Sequence, residues 1–277
     1  MRKAKGKAED GKRKAERGGK PAASRALRKS ALKDLLTLSR EIGREERGLV
    51  LAGEGNTSAR LDDRTFLIKA SGASLATLNA SDVVECHCAP LLQLLDEDRL
   101  SDAQIDEALM ASRVDSKAKK PSLEAMFHAH LISLPGVRFV AHAHATTVNQ
   151  ILCSPRARDF AGHRMMSDEA GCCGIASVWV PHVDPGLKLA QAIRRQTAAF
   201  IEKYQAPPRV VLLQNHGIIT LGGNWQSALA VMLMSEKAAR VFVGAAALGG
   251  PVFLSETEAR RFAERPDEEH RRRVMKI

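Results

Sequence analysis

Two histidines one residue apart, His142 and His144, stand at the end of the apolar run in VRFVAHAHATTVNQ, residues 137–150. If Val137 to His142 is a strand, side chains alternate faces, so both imidazoles leave one side of its carboxyl end and can close on one metal ion. A pair of satisfied, partly buried histidines is the alternative. FHAH at 127–130 repeats the spacing inside a helical pattern, where residues two apart diverge by roughly 200° around the axis. His128 and His130 therefore read as structural. A third histidine, His216, ends the apolar run at 209–214 in Gln214-Asn215-His216-Gly217, the place from which α/β sheets present functional groups. The three make a candidate facial set of imidazoles, and a catalytic zinc is typically held by three protein ligands with a fourth position open.

Several other residue types could do chemistry, each with a plainer reading beside it. Glu124 falls in the first turn of a helix that Ser122 would cap over Leu123 to Leu134. A carboxylate suits the helix dipole there and equally suits an acid/base role. Asn56, Thr57, Ser58, Ser71 and Gly72 fall in hairpin loops that could offer hydroxyls and N–H groups to a phosphate, although ordinary turns use the same residues. Cys86-His87-Cys88 could supply two zinc ligands; with no second CxC or CxxC, buried strand thiols are the better reading.

The elements that must position these residues follow from the hydrophobic pattern. Leu27, Ala31, Leu35, Leu38 and Ile42 predict an amphipathic helix from Ala26 to Arg47, stopped by Gly48. A hairpin spans GLVLAGEGNTSARLDD and RTFLIKASG, and Asp82 to Cys88 reads as a strand. Ser101 opens a helix to about Met110 with a capping box. Thr146 to Cys153 is helical, Arg156 to Gly174 irregular, Ile175 to Pro181 a strand, Leu187 to Gln205 a helix and Arg209 to Gln214 a strand. The glycines at 217, 222 and 223 leave the backbone room to turn. Asn224 caps a long helix from Trp225 to Ala247, and Ser255 to Val274 is helical and charged. These elements alone predict a mixed α/β fold.

Composition bounds the partners. The 277 residues are 44% hydrophobic and 27% charged, as in an ordinary globular protein, and no apolar run reaches the roughly 18 residues of a membrane span. Of the formal net charge of +10, residues 1–29 carry 12 Lys/Arg against 3 Asp/Glu; the remainder holds 30 against 29. Residues 1–25 thus read as a basic, disordered arm before a domain at 26–277, with nucleic-acid or anionic-surface binding the minority option. The amino terminus lacks an apolar signal core and fits a transit peptide poorly, and five cysteines without framework spacing suit a reducing cytoplasm.

GEGNTSARL, IKASG, PSLEAMFH, VRFVAHAHATTVNQIL and VLLQNHGIIT, in this order across about Ala26 to Ala247, resemble the class II aldolase/adducin family, most nearly its L-fuculose-1-phosphate and L-rhamnulose-1-phosphate aldolases. The resemblance implies a three-layer fold with a central, mainly antiparallel sheet flanked by helices, and a homotetramer with sites at subunit interfaces. It implies one zinc ion per chain on His142, His144 and His216, with Glu124 as the acid/base. It also implies that Asn56, Ser71, Gly72 and Ser122 hold the substrate phosphate. The implied activity is reversible aldol cleavage of a sugar phosphate, with a sugar-acid phosphate decarboxylase, dehydratase, 4-epimerase or metal-free adducin-like protein as alternatives. Two positions depart from the pattern: Leu123 replaces a second phosphate-binding serine, and the single tyrosine, Tyr204, does not fall where the aldolases place the tyrosine that handles the proton of the aldehyde oxygen.

Overall fold

The amphipathic register expected from Ala26 begins four residues earlier in the computed structural model, which describes residues 22–275. Most of the basic arm lies outside the described residues, and residues 22–25 belong to the first helix, α1 (Ala22–Ile42). That helix stops before Gly43, where an added Cβ would sit 2.3 Å from the Ala76 nitrogen; Gly48, in the left-handed region, closes a 3-10 turn after it. Then follow β1 (Asn56–Arg60), β2 (Thr65–Lys69), β3 (Val83–His87), α2 (Cys88–Leu94), α3 (Asp102–Ala111), α4 (Ala125–Ile132) and β4 (Phe139–Ala143). The chain continues through α5 (Thr146–Leu152), α6 (Ala157–Gly162), α7 (Ser167–Cys173), β5 (Val178–Val180), α8 (Leu187–Tyr204), β6 (Val210–Leu213) and β7 (Gly217–Gly222). It ends in α9 (Trp225–Ala247), α10 (Glu256–Glu264) and α11 (Pro266–Met275).

The seven strands form one sheet in the order β3-β2-β1-β4-β7-β6-β5. Every pairing is antiparallel except β5 with β6. Alternation along the strands builds a core on each face. Ile68, Val140, Val211 and Ile219 pack with residues of α2, α3, α4 and α8 on one side. Leu67, Ala141, Leu212 and Ile218 pack with residues of α1, α5, α6, α7 and α9 on the other. Helix, sheet and helix layers give the expected three-layer α/β architecture.

Three local expectations are corrected. Residues 156–174 contain α6 and α7, short helices that no side-chain cap announces. The glycines after His216 bound a seventh strand, β7, rather than a turn. Ser122 does not cap α4: Ala70 and Pro121 form a β-bridge and the Ser122 amide donates to the Lys69 carbonyl, so residues 121–122 stay with the sheet. The helix starts at Ala125 with Glu124 in the cap position.

Candidate metal centre

Direction in the sheet brings the histidines together. Because β4 pairs antiparallel with β7, and β7 with β6, strands β4 and β6 point the same way and end at the same edge of the fold. His142 sits on β4 and His144 just past it, whereas His216 occupies the tight turn into β7, behind Asn215 with φ of 56°. The ring centroids lie 5.0, 4.9 and 5.0 Å apart, and one nitrogen from each ring falls within 4.8 Å of the other two. No Cβ fits at Gly217, where one would stand 2.5 Å from the Ala143 carbonyl and 3.0 Å from both His142 Cε1 and His144 Cδ2.

The tautomer of His142 is decided by the backbone. Its Nδ1–H donates to the Ile218 carbonyl at 3.0 Å, so the Nε2 lone pair points at its neighbours, with His144 Nε2 at 3.1 Å. Burial, with His144 adding, lowers the His142 pKa to about 3; burial and then His142 lower that of His216 to about 4. Both rings are neutral near pH 7, as ligation requires. Tetrahedral zinc at roughly 2.0–2.1 Å from each nitrogen would space two ligand atoms by roughly 3.3–3.4 Å, so the residues present fit such an ion.

Glu124 faces this cage and is not spent on the helix end, since its carboxylate makes no cap hydrogen bond. One oxygen lies 3.6 Å from His142 Nε2 and the other 3.6 Å from His216 Nε2. Asn56 Nδ2 donates to Glu124 Oε2 at 2.5 Å and to Ser122 Oγ at 3.3 Å. Asn56 was expected in a loop; it is instead the first residue of β1, buried and in register with His142. Thr57 and Ser58 are likewise buried strand residues. Ser71 and Gly72 do occupy an exposed turn, tied by the Ser71 amide to the Lys120 carbonyl, two residues before Ser122. Leu123 is 39% exposed beside Gly186.

Several residues that hold the site were not visible as such in the sequence. His128, expected to be structural, lies outside the cage but sets the orientation of Asn56: its Nδ1 accepts from Ser58 Oγ at 2.7 Å and its Nε2–H donates to Asn56 Oδ1. Burial keeps this ring neutral, so the directions are consistent from Ser58 through to Glu124. Glu54 Oε1 stands 3.5 Å from His144 Nδ1, and Asn149 Nδ2 donates to the His216 carbonyl at 3.0 Å. Lys69 Nζ is buried against the Gly53 and Ala73 carbonyls; burial lowers its pKa, opposed by Glu124. None of these contacts has a sequence spacing; Glu54 alone, in the Gly-rich turn, carried a local hint. Cys86 and Cys88 are thiols that burial pushes up to about 12 and about 11, which suits core packing. A cavity of about 380 Å³ at the opposite end of the sheet, between Gly136, Arg209 and Gly222, brings no carboxylate or imidazole together.

A family model, the Class II Aldolase and Adducin N-terminal domain, matches residues 33–243. The chain belongs to this family. Class II aldolases are metal-dependent, and the three imidazoles could hold their ion. Within reach of the family, 3-oxo-tetronate 4-phosphate decarboxylase of Haemophilus influenzae is 25% identical over 212 residues, which cover 73% of this chain and 83% of that protein. YuxG of Bacillus subtilis, an uncharacterized oxidoreductase, is 28% identical over 182 residues, covering 61% of this chain; the chain spans only 23% of that relative's length. Among solved structures, an L-fuculose 1-phosphate aldolase aligns with a TM-score of 0.63 at 20% identity, over 85% of this chain and 95% of that one. The N-terminal class II aldolase domain of a Thermoplasma acidophilum protein aligns at 0.62 and 24%, over 76% and 93%. These two likenesses establish the class II aldolase fold.

Proposed function

We propose that this chain is a zinc-dependent lyase that reversibly cleaves a sugar phosphate, a deoxyketose 1-phosphate giving dihydroxyacetone phosphate and an aldehyde. The observation that carries the reading is Glu124, whose two oxygens lie 3.6 Å from an imidazole nitrogen of His142 and of His216 in the three-histidine cage. His142, His144 and His216 would hold a divalent ion, which when bound would supply Lewis-acid chemistry at the substrate carbonyl. Glu124, aimed by Asn56, moves the proton at C3 of the three-carbon fragment. The Ser71 amide is taken by Lys120, so the Ser71 hydroxyl, the Gly72 N–H and the Ser122 hydroxyl remain to hold the phosphate, with Asn56 beside them. We place the enzyme in the cytoplasm as a homotetramer with sites between subunits.

A second reading, decarboxylation of a 3-oxo sugar-acid phosphate, is supported by the Haemophilus influenzae relative matched along most of its length. Loss of carbon dioxide next to the carbonyl leaves an electron pair on the same carbon that aldol cleavage does, so Glu124 would serve both. The test is metal content of the purified chain together with product release from ketose 1-phosphates and from 3-oxo-tetronate 4-phosphate. About one zinc per chain with dihydroxyacetone phosphate and an aldehyde from a ketose supports the aldolase. Carbon dioxide from the acid alone supports the second reading, and absence of metal and of both activities overturns the proposal.

A further inference from the structure

We propose that His182 is the acid/base that exchanges a proton with the oxygen of the aldehyde product, a role that rests on the aldol reading above. The cleavage needs two proton carriers, because Glu124 works at C3 and the hydroxyl on the neighbouring C4 must lose its proton as the bond breaks. Sheet direction supplies the second. Strand β5 runs parallel to β6, with Val180 opposite Leu213, so its carboxyl end opens at the same edge as those of β4 and β6. The Gln214 amide continues that pairing by donating to the Val180 carbonyl at 2.9 Å, which draws residues 181–182 alongside Asn215 and His216. Three co-directional strands thus each deliver histidine to one edge: His142 and His144, His216, and His182. The imidazole of His182 is near enough to that of His216 to oppose its protonation. From there the loop runs to Gly186, whose missing Cβ would lie 3.8 Å from Leu123 Cδ2, and Leu123 precedes Glu124. The segment 181–186 therefore runs from the strand end beside β6 to Leu123, the neighbour of Glu124, and His182 on it is exposed to solvent.

The other ionisable groups around the cage are already committed. His128 uses both ring nitrogens on Ser58 and Asn56, Lys69 donates to two backbone carbonyls, and Glu54 accepts from the Leu51 amide while facing His144. Tyr204 packs on Phe200 at the far end of α8. In the cleavage direction a ring nitrogen of His182 takes the proton of the C4 hydroxyl. The O–H pair becomes the second carbon–oxygen bond of the aldehyde, the C3–C4 bond breaks, and its pair passes to C3 in conjugation with the C2 carbonyl. Glu124, which enters the cleavage direction as the carboxylic acid, then gives its proton to C3. His182 releases the proton it took to solvent and Glu124 regains one from solvent, so protons balance and no oxidant or reductant is required. Condensation runs the same transfers backwards.

The test compares the full-length metal-loaded protein with His182→Gln and His182→Ala in three measurements: metal content, deuterium exchange into dihydroxyacetone phosphate in heavy water, and cleavage of a ketose 1-phosphate. Metal content and deuterium exchange should match wild type, while kcat for cleavage falls by roughly 10²–10⁴-fold and is partly restored to His182→Ala by added imidazole. Unchanged cleavage overturns the assignment, as does a parallel loss of exchange and cleavage without imidazole rescue, which marks a structural role. A wild-type chain that exchanges the proton but neither cleaves nor forms an aldol overturns His182 while leaving Glu124 standing. Absence of exchange in the wild type overturns the aldol reading itself.

Discussion

The hydrogen bond from His142 Nδ1 to the Ile218 carbonyl decides, at the scale of one residue, which nitrogen is left free for the proposed ion. Among the described contacts His144 has no equivalent backbone anchor, only Glu54 at 3.5 Å, so it is the proposed ligand whose loss is easiest to interpret. His144→Ala should leave two imidazoles and water, and elemental analysis after dialysis should find far less than one metal per chain; unchanged stoichiometry would reject the cage. Glu124→Gln keeps the shape and the cage, so metal content should stay at wild type while turnover falls roughly 10²–10⁴-fold. A wild-type rate in that variant would move the acid/base elsewhere. The three histidines were legible because strand alternation and strand ends are sequence-local facts. The competition over Glu124 was not: helix dipole and acid/base readings predict the same residue, and only the absence of a cap bond, with Asn56 reaching from β1, separates them.

At the scale of elements, the close passage of β7 across the end of β4 is what spaces the rings. Gly217→Ala puts a methyl 2.5 Å from the Ala143 carbonyl, so β7 must shift. Denaturant unfolding should show a loss of about 1–3 kcal/mol, accompanied by weaker metal binding by titration. Metal affinity equal to wild type would mean the cage tolerates the displacement. Between α4 and α8, His130 Nε2 meets Thr197 Oγ1 at 2.9 Å, and burial, with Arg194 adding, lowers its pKa to about 4. The unfolded ring titrates near 6.5, so between these values the unfolded chain binds the extra proton. This group's stabilisation is present above pH 6.5 and is lost as pH falls towards 4. His130→Gln should flatten the decline of stability from pH 6.5 to 4.5 by at most about 1.4 kcal/mol per pH unit, read from urea midpoints. An unaltered slope would show that the ring is not the titrating group. Elements with caps in the sequence, α3 behind Ser101 and α9 behind Asn224, were readable to their boundaries. Those without, α6 and α7, were hidden among polar residues, and β7 was masked because its bounding glycines also signal turns.

For the whole molecule, α10 and α11 lie past the family match at 33–243 and close against α7. Arg272 donates to the Gly171 carbonyl, Arg209 to Cys172, and Arg164 to Cys173 and Gly174, so three guanidinium groups satisfy the carbonyl end of that short helix. No helix among the described residues is long and apolar enough to cross a membrane. An ion bound only by the folded state stabilises it through mass action, about 2.7 kcal/mol at a hundredfold excess over Kd. In a chain of this size chelation should therefore lower Tm by roughly 5–10 °C. Identical melting with and without chelator would indicate an empty cage.

The contact between His142 and Ile218 joins residues 76 positions apart, and His216 enters the same cage only once β6 and β7 have folded back on β4. A metal-sensitive dye mixed with refolding protein would consequently act as a clock. Ion uptake cannot begin until that distant strand has docked, so its lag times the docking of β7 on β4 rather than the encounter of ion and protein.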